Sequence, residues 1–361
     1  MNELYNGDIS QLRLINQQII SPSQKTVKEL IRYMGAMQAQ DFAMASWAVG
    51  VRLENSTVKA FEECYNNGEI LRTHLLRPTW HFVSQKDINW ILDLTAPHIL
   101  PLLKGRHRNL GLKSEILNNC NSVMGKALSG GQHLTRDELL LVFQKNKVPV
   151  ERHQLSHIFL NAELHKVICS GRVKNKKITY ALFDERATDR TALPKEEALA
   201  RLTRIYFTSH GPALQIDFQW WSGLSATNAK KGIASIEGEL ASHVIGEKTF
   251  YYAKENSLVP AKKDAVFVLP AFDEYIISYR NRSAILAAKE HAQVVSSNGI
   301  FRPFIVQNGQ VIGIWGRTTK KETIIIDLDF FQSPTQKVVK TVKQKLMEYG
   351  KFLGKKVEIR E

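Results

Sequence analysis

The run "LRTHLLRPTWHFVS" (residues 71–84) holds two apolar segments on either side of Arg77-Pro78, which reads as two short strands about a turn. What precedes it is helical. Residues 8–20, "DISQLRLINQQII", predict a helix capped by Asp8 or Ser10 and broken by "SPSQ". Residues 25–37 place Val27, Leu30, Ile31, Met34 and Met37 on one stripe of a second helix. "FAMASWAVGVRL" and "TVKAFEECYNNGEI", the latter ended by Gly68, predict two more. Helices closed by a β-hairpin are the order of a winged helix.

The same order recurs downstream. "SEILNNCNSVMGKAL", "HLTRDELLLVFQKN" (Thr135 as N-cap, Glu138 three residues on) and "ERHQLSHIFLNAELHKVI" predict helices, and "CSGRVKNKKITYALFDE" a hairpin. A third round runs through "KEEALARLTRIYFTSHG", "QIDFQWWSGL" and "SATNAKKGIASI" to a hairpin turning at Gly246-Glu247. After Pro260 strands dominate, with a hairpin signal at Asn308-Gly309 and a basic amphipathic helix, "TQKVVKTVKQKLMEYGKFLG", near the end. The expected class is α+β: tandem winged-helix motifs over residues 1–84, 85–190 and 191–258, then a small β-barrel-like domain with flanking helices over 259–361.

Composition narrows the function. The 361 residues carry 49 Lys+Arg against 35 Asp+Glu, a formal net charge of +14, which favours a polyanionic partner, nucleic acid before membrane. The three cysteines, Cys64, Cys120 and Cys169, are scattered and form no C-x-x-C, which argues against a disulfide framework or a zinc site. With no signal-peptide pattern and no uncharged run of membrane-spanning length, the expectation is a cytoplasmic protein without cofactor, metal or obligate protein partner, acting as a monomer.

Several stretches could carry chemistry. Gln38 and Gln40 lie just past the helical stripe and before Asp41, which can cap the next helix. Residues i and i+2 diverge on a helix and share a side on an extended segment, so both amides could enter one pocket. Spacing alone favours the other reading, that they satisfy the open ends of the helices on either side. On the hairpin, alternation puts Arg77, Thr79 and His81 on one face and Trp80 on the other, a face suited to phosphate or base contact, or simply a solvated strand. "GRVKNKK" offers Arg172, Lys174, Lys176 and Lys177 as a backbone clamp, and "LLKGRHRNLGLK" adds Lys104, Arg106, Arg108 and Lys113. Asp273, Glu274, Arg280 and Arg282 in "LPAFDEYIISYRNRS" read as a structural ion-pair network, and His153 and His157 as ordinary helix residues. No nucleotide-loop or nucleophile-elbow motif is present.

Taken together, "MQAQD", "HLLRPTWHFV", "GPALQIDFQWWSGL", "LPAFDEYIISYRNRS" and "FRPFIVQNGQVIGIW" occur in an order that resembles the winged-helix DNA-binding family that includes the AlkZ-type bacterial DNA glycosylases. The resemblance runs from about Ile9 to Leu353. It implies a concave basic channel for double-stranded DNA and excision of alkylated bases, with crosslink unhooking in some members. It also implies a catalytic signature of Gln, an apolar residue, then Gln or Asp, matched here by Gln38-Ala39-Gln40. A base alkylated at N7 or N3 is cationic and leaves without strong acid, so a glutamine-positioned water suffices for direct hydrolysis. The competing reading is a non-enzymatic winged-helix DNA binder, a regulator or lesion binder; an RNA-binding module lacks the expected aromatic signature.

Overall fold

The structure is a computed structural model, and it describes residues 6–256 and 264–360. Helix α1 (Asn6–Asn16) starts before the expected caps, so Asp8 and Ser10 lie inside it. Helix α2 (Val27–Met34) begins with a capping box between Thr26 and Glu29 and buries Val27, Leu30, Ile31 and Met34. It stops at Gly35, whose φ of 75° disfavours any side chain and whose Cβ would come within 2.6 Å of Ile205. Met37 therefore leaves the helical stripe and sits on a strand, β1 (Ala36–Gln38). Asp41 caps α3 (Phe42–Gly50), accepting from the Met44 amide, and Thr57 caps α4 (Val58–Asn66).

The hairpin forms as β2 (Ile70–Leu75) and β3 (Thr79–Ser84). It is not a free wing. Strand β1 pairs with β3 on its other edge, giving a three-stranded sheet in the order β1-β3-β2. Pairing of β1 with the central strand β3 is what carries Gln38 into the molecule.

The long helix α5 (Ile88–Asn109) leads to α6 (Ser114–Leu128), β4 (Leu134–Thr135), α7 (Arg136–Lys145), α8 (Leu155–Leu164), β5 (Ile168–Lys174) and β6 (Lys177–Leu182). Thr135 and Glu138 make the expected capping box. The sheet order β4-β6-β5 repeats that of the first unit. After α9 (Phe183–Arg186) come α10 (Lys195–Ser209), α11 (Gln215–Ser222), α12 (Ala226–Ser235), β7 (Leu240–Ile245) and β8 (Lys248–Ala253). In this third round the first strand shrinks to a single bridge, Ala213 to Tyr251. The order α-β-α-α-β-β thus runs three times.

The last segment contains β9 (Val266–Leu269), α13 (Glu274–Ile277), α14 (His291–Val294), β10 (Phe304–Gln307), β11 (Gln310–Thr319), β12 (Thr323–Phe330), α15 (Gln336–Leu353) and β13 (Lys356–Arg360). Its five strands pair in the order β13-β12-β11-β10-β9, with β10 and β11 joined at Asn308-Gly309 as expected. Helix α15 lays Val338, Val342, Leu346, Tyr349 and Phe352 into a core shared with Trp47 of α3. Burying such side chains contributes about 1.5–3 kcal/mol each.

A larger core joins Leu14, Leu75, Trp90, Tyr206, Trp221, Tyr275 and Phe304, so the first and third units and the C-terminal segment pack as one body. The second unit has a core of its own around Cys120, Met124, Phe143 and Phe159. Among the described residues, no helix is long and apolar enough to cross a membrane.

Candidate active site

Gly35 ends a helix, and the next residues become extended. Register follows: Ala36 opposes Val83, Met37 opposes Phe82 and Gln38 opposes His81. The Ala39 amide continues the ladder to the Trp80 carbonyl at 2.7 Å, and the Ala39 carbonyl accepts from Arg72 Nε at 2.9 Å. On the short link between α2 and α3, Gln38 ends strand β1 and Gln40 stands on a bend. The two residues differ in burial: Gln38 is 4% exposed, while Gln40 faces solvent.

Gln38 is held at two points. Its side-chain Oε1 accepts from Thr79 Oγ1 at 3.2 Å. Its backbone N–H donates to Glu274 Oε1 at 2.5 Å. Glu274 is itself 1% exposed and also accepts from the Ser278 hydroxyl, with His210 Nε2 3.6 Å away. Burial alone would raise the Glu274 carboxyl. The contact with His210 and the hydrogen bond from the Ser278 hydroxyl help outweigh it and hold the group at about 2. A neutral amide thus sits against an ionised, buried carboxylate. The acid owes this place to Asp273, which caps α13 and makes a bidentate pair with the fully buried Arg52, just past the end of α3, at 2.7 and 2.8 Å.

His81 corrects an expectation. It is 0% exposed, so it cannot touch a phosphate. Strand β1 covers the outer edge of β3, and an imidazole there is sealed in: burial first, then the nearby Arg77 charge, push His81 down to about 4. It is a neutral ring, with Nδ1 2.9 Å from the Thr79 carbonyl. Thr79 likewise faces Gln38 rather than an open surface. Arg77 is half-buried at the turn, and Trp80 turns to the opposite side, where Arg72 stacks on it at 4.2 Å.

The other cationic candidates lie elsewhere. Arg106 and Arg108 are exposed on the last turn of α5, with Lys104 and Lys113 close in sequence and also exposed. The β5–β6 tip is less free than its sequence implied. Lys174 pairs with Glu138 at 2.9 Å and Lys177 with Asp137 at 3.4 Å, both acids coming from the first turn of α7. Arg172 Nε donates to the Asn66 carbonyl at 3.2 Å, and Lys176 is exposed on the turn.

The expected ion-pair network in "LPAFDEYIISYRNRS" does not form among its own members. Asp273 takes Arg52, Glu274 takes the Gln38 backbone, and Arg280 and Arg282 make no ion pair among the described residues. Sequence reading missed Glu274, Ser278 and His210 as neighbours of the glutamines. The available signal was an Asp-Glu pair inside an apolar run, where a burial cost demands a distant partner. His157 of α8 packs its ring against His107 at 5.6 Å, and His153 lies in a short 3-10 turn beside Glu151.

A family model described as DNA glycosylase AlkZ-like matches residues 31–352. The chain is 24% identical over 316 residues to the interstrand DNA cross-link repair glycosylase of Streptomyces sahachiroi, covering 83% of this chain and 85% of that one. It is similar in fold to the solved structure of the Streptomyces sahachiroi DNA glycosylase AlkZ, with a TM-score of 0.82 at 19% identity over 99% of this chain and 100% of that one.

Proposed function

The chain belongs to the AlkZ-like DNA glycosylase family, and within that family we propose that it hydrolyses the glycosidic bond of cationic N7- or N3-alkylated purines with Gln38 and Gln40 as its catalytic pair. In the reaction the C1′–N bond breaks and its electron pair neutralises the departing base. A water oxygen bonds to C1′, and the water proton leaves to solvent. No acid is needed for the leaving group, and no lysine for a covalent intermediate. What the protein must supply is extrusion of the nucleotide, a held water and a dipole facing the oxocarbenium charge. Interstrand crosslinks attached through the same nitrogens, the lesion named for the Streptomyces sahachiroi relative, fall within this chemistry.

One observation carries the reading: an uncharged side chain, 4% exposed, whose amide is oriented by Thr79 and whose backbone is clamped by an ionised Glu274. A helix-capping role for Gln38 would need its amide on a helix end, and its hydrogen bond goes to a strand residue instead. The three α-β-α-α-β-β runs support tandem winged helices divided near residues 84 and 190, followed by a barrel-like domain; its expected boundary at 258/259 lies outside the described residues.

The test is release of free base from duplex DNA holding a single 7-methylguanine. Gln38→Ala and Gln40→Ala are each expected to slow release by about 10²-fold, roughly 2.7 kcal/mol, with DNA affinity retained. Gln40→Asp keeps a carbonyl acceptor for water and should keep most of the rate. A double Ala variant that works at the wild-type rate overturns the assignment.

A further inference from the structure

A cavity of about 410 Å³ lies between the β2–β3 turn, α11 and the segment after α13. Three guanidiniums surround one indole in its wall. Arg77, Arg280 and Arg282 lie 5.2, 5.3 and 5.7 Å from the Trp220 ring centre. Trp220 is fixed by its Nε1–H to the Ile277 carbonyl at 2.9 Å. The turn is pressed against the end of α11 because residue 223 is glycine at a φ of 71°; a Cβ there would stand 2.3 Å from the Leu76 carbonyl oxygen.

This concentration of charge is unpaid within the protein. None of the three arginines forms an ion pair among the described residues, and Arg77 Nε and Nη2 are sealed from solvent without a hydrogen-bond partner. The neighbouring acids are already engaged. Asp217 accepts from the Leu214 and Asn281 amides at 3.0 and 2.8 Å and faces Arg13 at 3.6 Å. Glu274 is held by Gln38 and Ser278. Burial, then the charges of Arg77 and Arg280, push Arg282 down to about 10. Stacking on Trp220 offsets part of this cost, and Arg282 Nε donates to the Ile276 carbonyl at 3.0 Å, but the Arg77 Nε and Nη2 edge is left without an acceptor.

We propose that Arg280 and Arg282, backed by the buried charge of Arg77, form a cradle for one phosphodiester of the damaged strand, adjacent to the nucleotide presented to Gln38. The ligand must be anionic, since three guanidiniums repel a cationic base, and planar N–H forks match the non-bridging oxygens of a phosphate. Its place follows from the chain: Arg77 is two residues from Thr79, which touches Gln38, so the Arg77 backbone lies within about 7 Å of that of Thr79. That placement rests on the reading of Gln38 as the residue facing the sugar.

The test is binding of the full-length protein to a duplex with one uncharged abasic-site analogue, in which methylphosphonate replaces the phosphates one at a time. For the wild type, one or two adjacent positions within two nucleotides of the analogue are expected to weaken binding by 10-fold or more. In an Arg77→Gln, Arg280→Gln, Arg282→Gln variant, binding to unmodified DNA should be weaker and those positions should lose their effect. The slope of log affinity against log salt should fall by about 0.9 for the one phosphate lost. Arg280→Gln alone, at an exposed position, should give the same position-specific loss in smaller measure and guards against misfolding of the triple variant. A methylphosphonate profile identical in wild type and variants overturns the cradle. The assay reads no base release. A protein that shows the profile but excises nothing keeps the cradle and loses the hydrolytic reading; one that excises with a flat profile does the reverse.

Discussion

At the scale of single residues, the amide of Gln38 is a neutral group whose usefulness depends on which way it points. An amide free to rotate offers water a carbonyl or an NH₂; one whose Oε1 already accepts from Thr79 has its dipole set before substrate arrives. Thr79→Val preserves shape and removes only the hydroxyl. It is expected to lower the single-turnover rate of base release about 10-fold, the value of one hydrogen bond of about 1.4 kcal/mol, while DNA affinity stays unchanged. Thr79→Ser should restore the rate. An undiminished rate in the Val variant would remove Thr79 from the mechanism. His81 offers no general acid for this chemistry near neutral pH, because burial keeps the ring uncharged until about pH 4.

At the scale of elements, the β5–β6 hairpin shows how neighbours change the meaning of a charge run. Four cations on a turn read as a clamp with four phosphate contacts. The N-terminal turn of α7 brings Glu138 to Lys174 and Asp137 to Lys177, and helix caps favour acids there for their own reason, the exposed amides and the macrodipole. Surface pairs of this kind are worth little, about 0–1 kcal/mol, yet they neutralise the charge that DNA would feel. Neutralising Arg172, Lys174, Lys176 and Lys177 together is therefore expected to flatten the salt dependence of duplex binding by about two units of slope. A fall near four would mean that the acidic partners let go on DNA. An unchanged slope would mean that the hairpin faces away from it.

At the scale of the whole molecule, the candidate site exists because distant segments are locked together. Arg52, just past α3, and Asp273 at the start of α13 are both 0% exposed and share two hydrogen bonds. Arg52 is also satisfied by the Ala48 and Gln17 carbonyls and Gln17 Oε1, so no donor is stranded. Asp273→Ala would leave a buried guanidinium without its counter-charge. The expected cost is about 3–5 kcal/mol in urea unfolding. Base release should fall with it, because Glu274 is the next residue and clamps the Gln38 backbone. A stability equal to wild type would show that the pair does not hold the C-terminal segment on α3.

Much of this protein is local in origin and could be read directly. The thriceness of helices and hairpins, the capping box at Thr135, the cap at Asp41 and the turn at Asn308-Gly309 each depend on residues a few positions apart, and each stands as expected. The extended setting of Gln38 was also legible, because a periodic stripe stops before it and a capping acid follows. What sequence spacing could not supply is who covers whom. His81 looks like a surface residue of a hairpin until β1 pairs beside it. Glu274 looks like one member of a local ion network until the chain brings it across 236 positions to the Gln38 amide. Arg77, Arg280 and Arg282 come together only through Trp220 and the close approach at Gly223. Backbone propensities and caps act over one or two turns, whereas burial, desolvation and charge pairing are set by long-range contacts. The order of elements was therefore determined by the sequence alone, and the chemical state of the site by the tertiary structure.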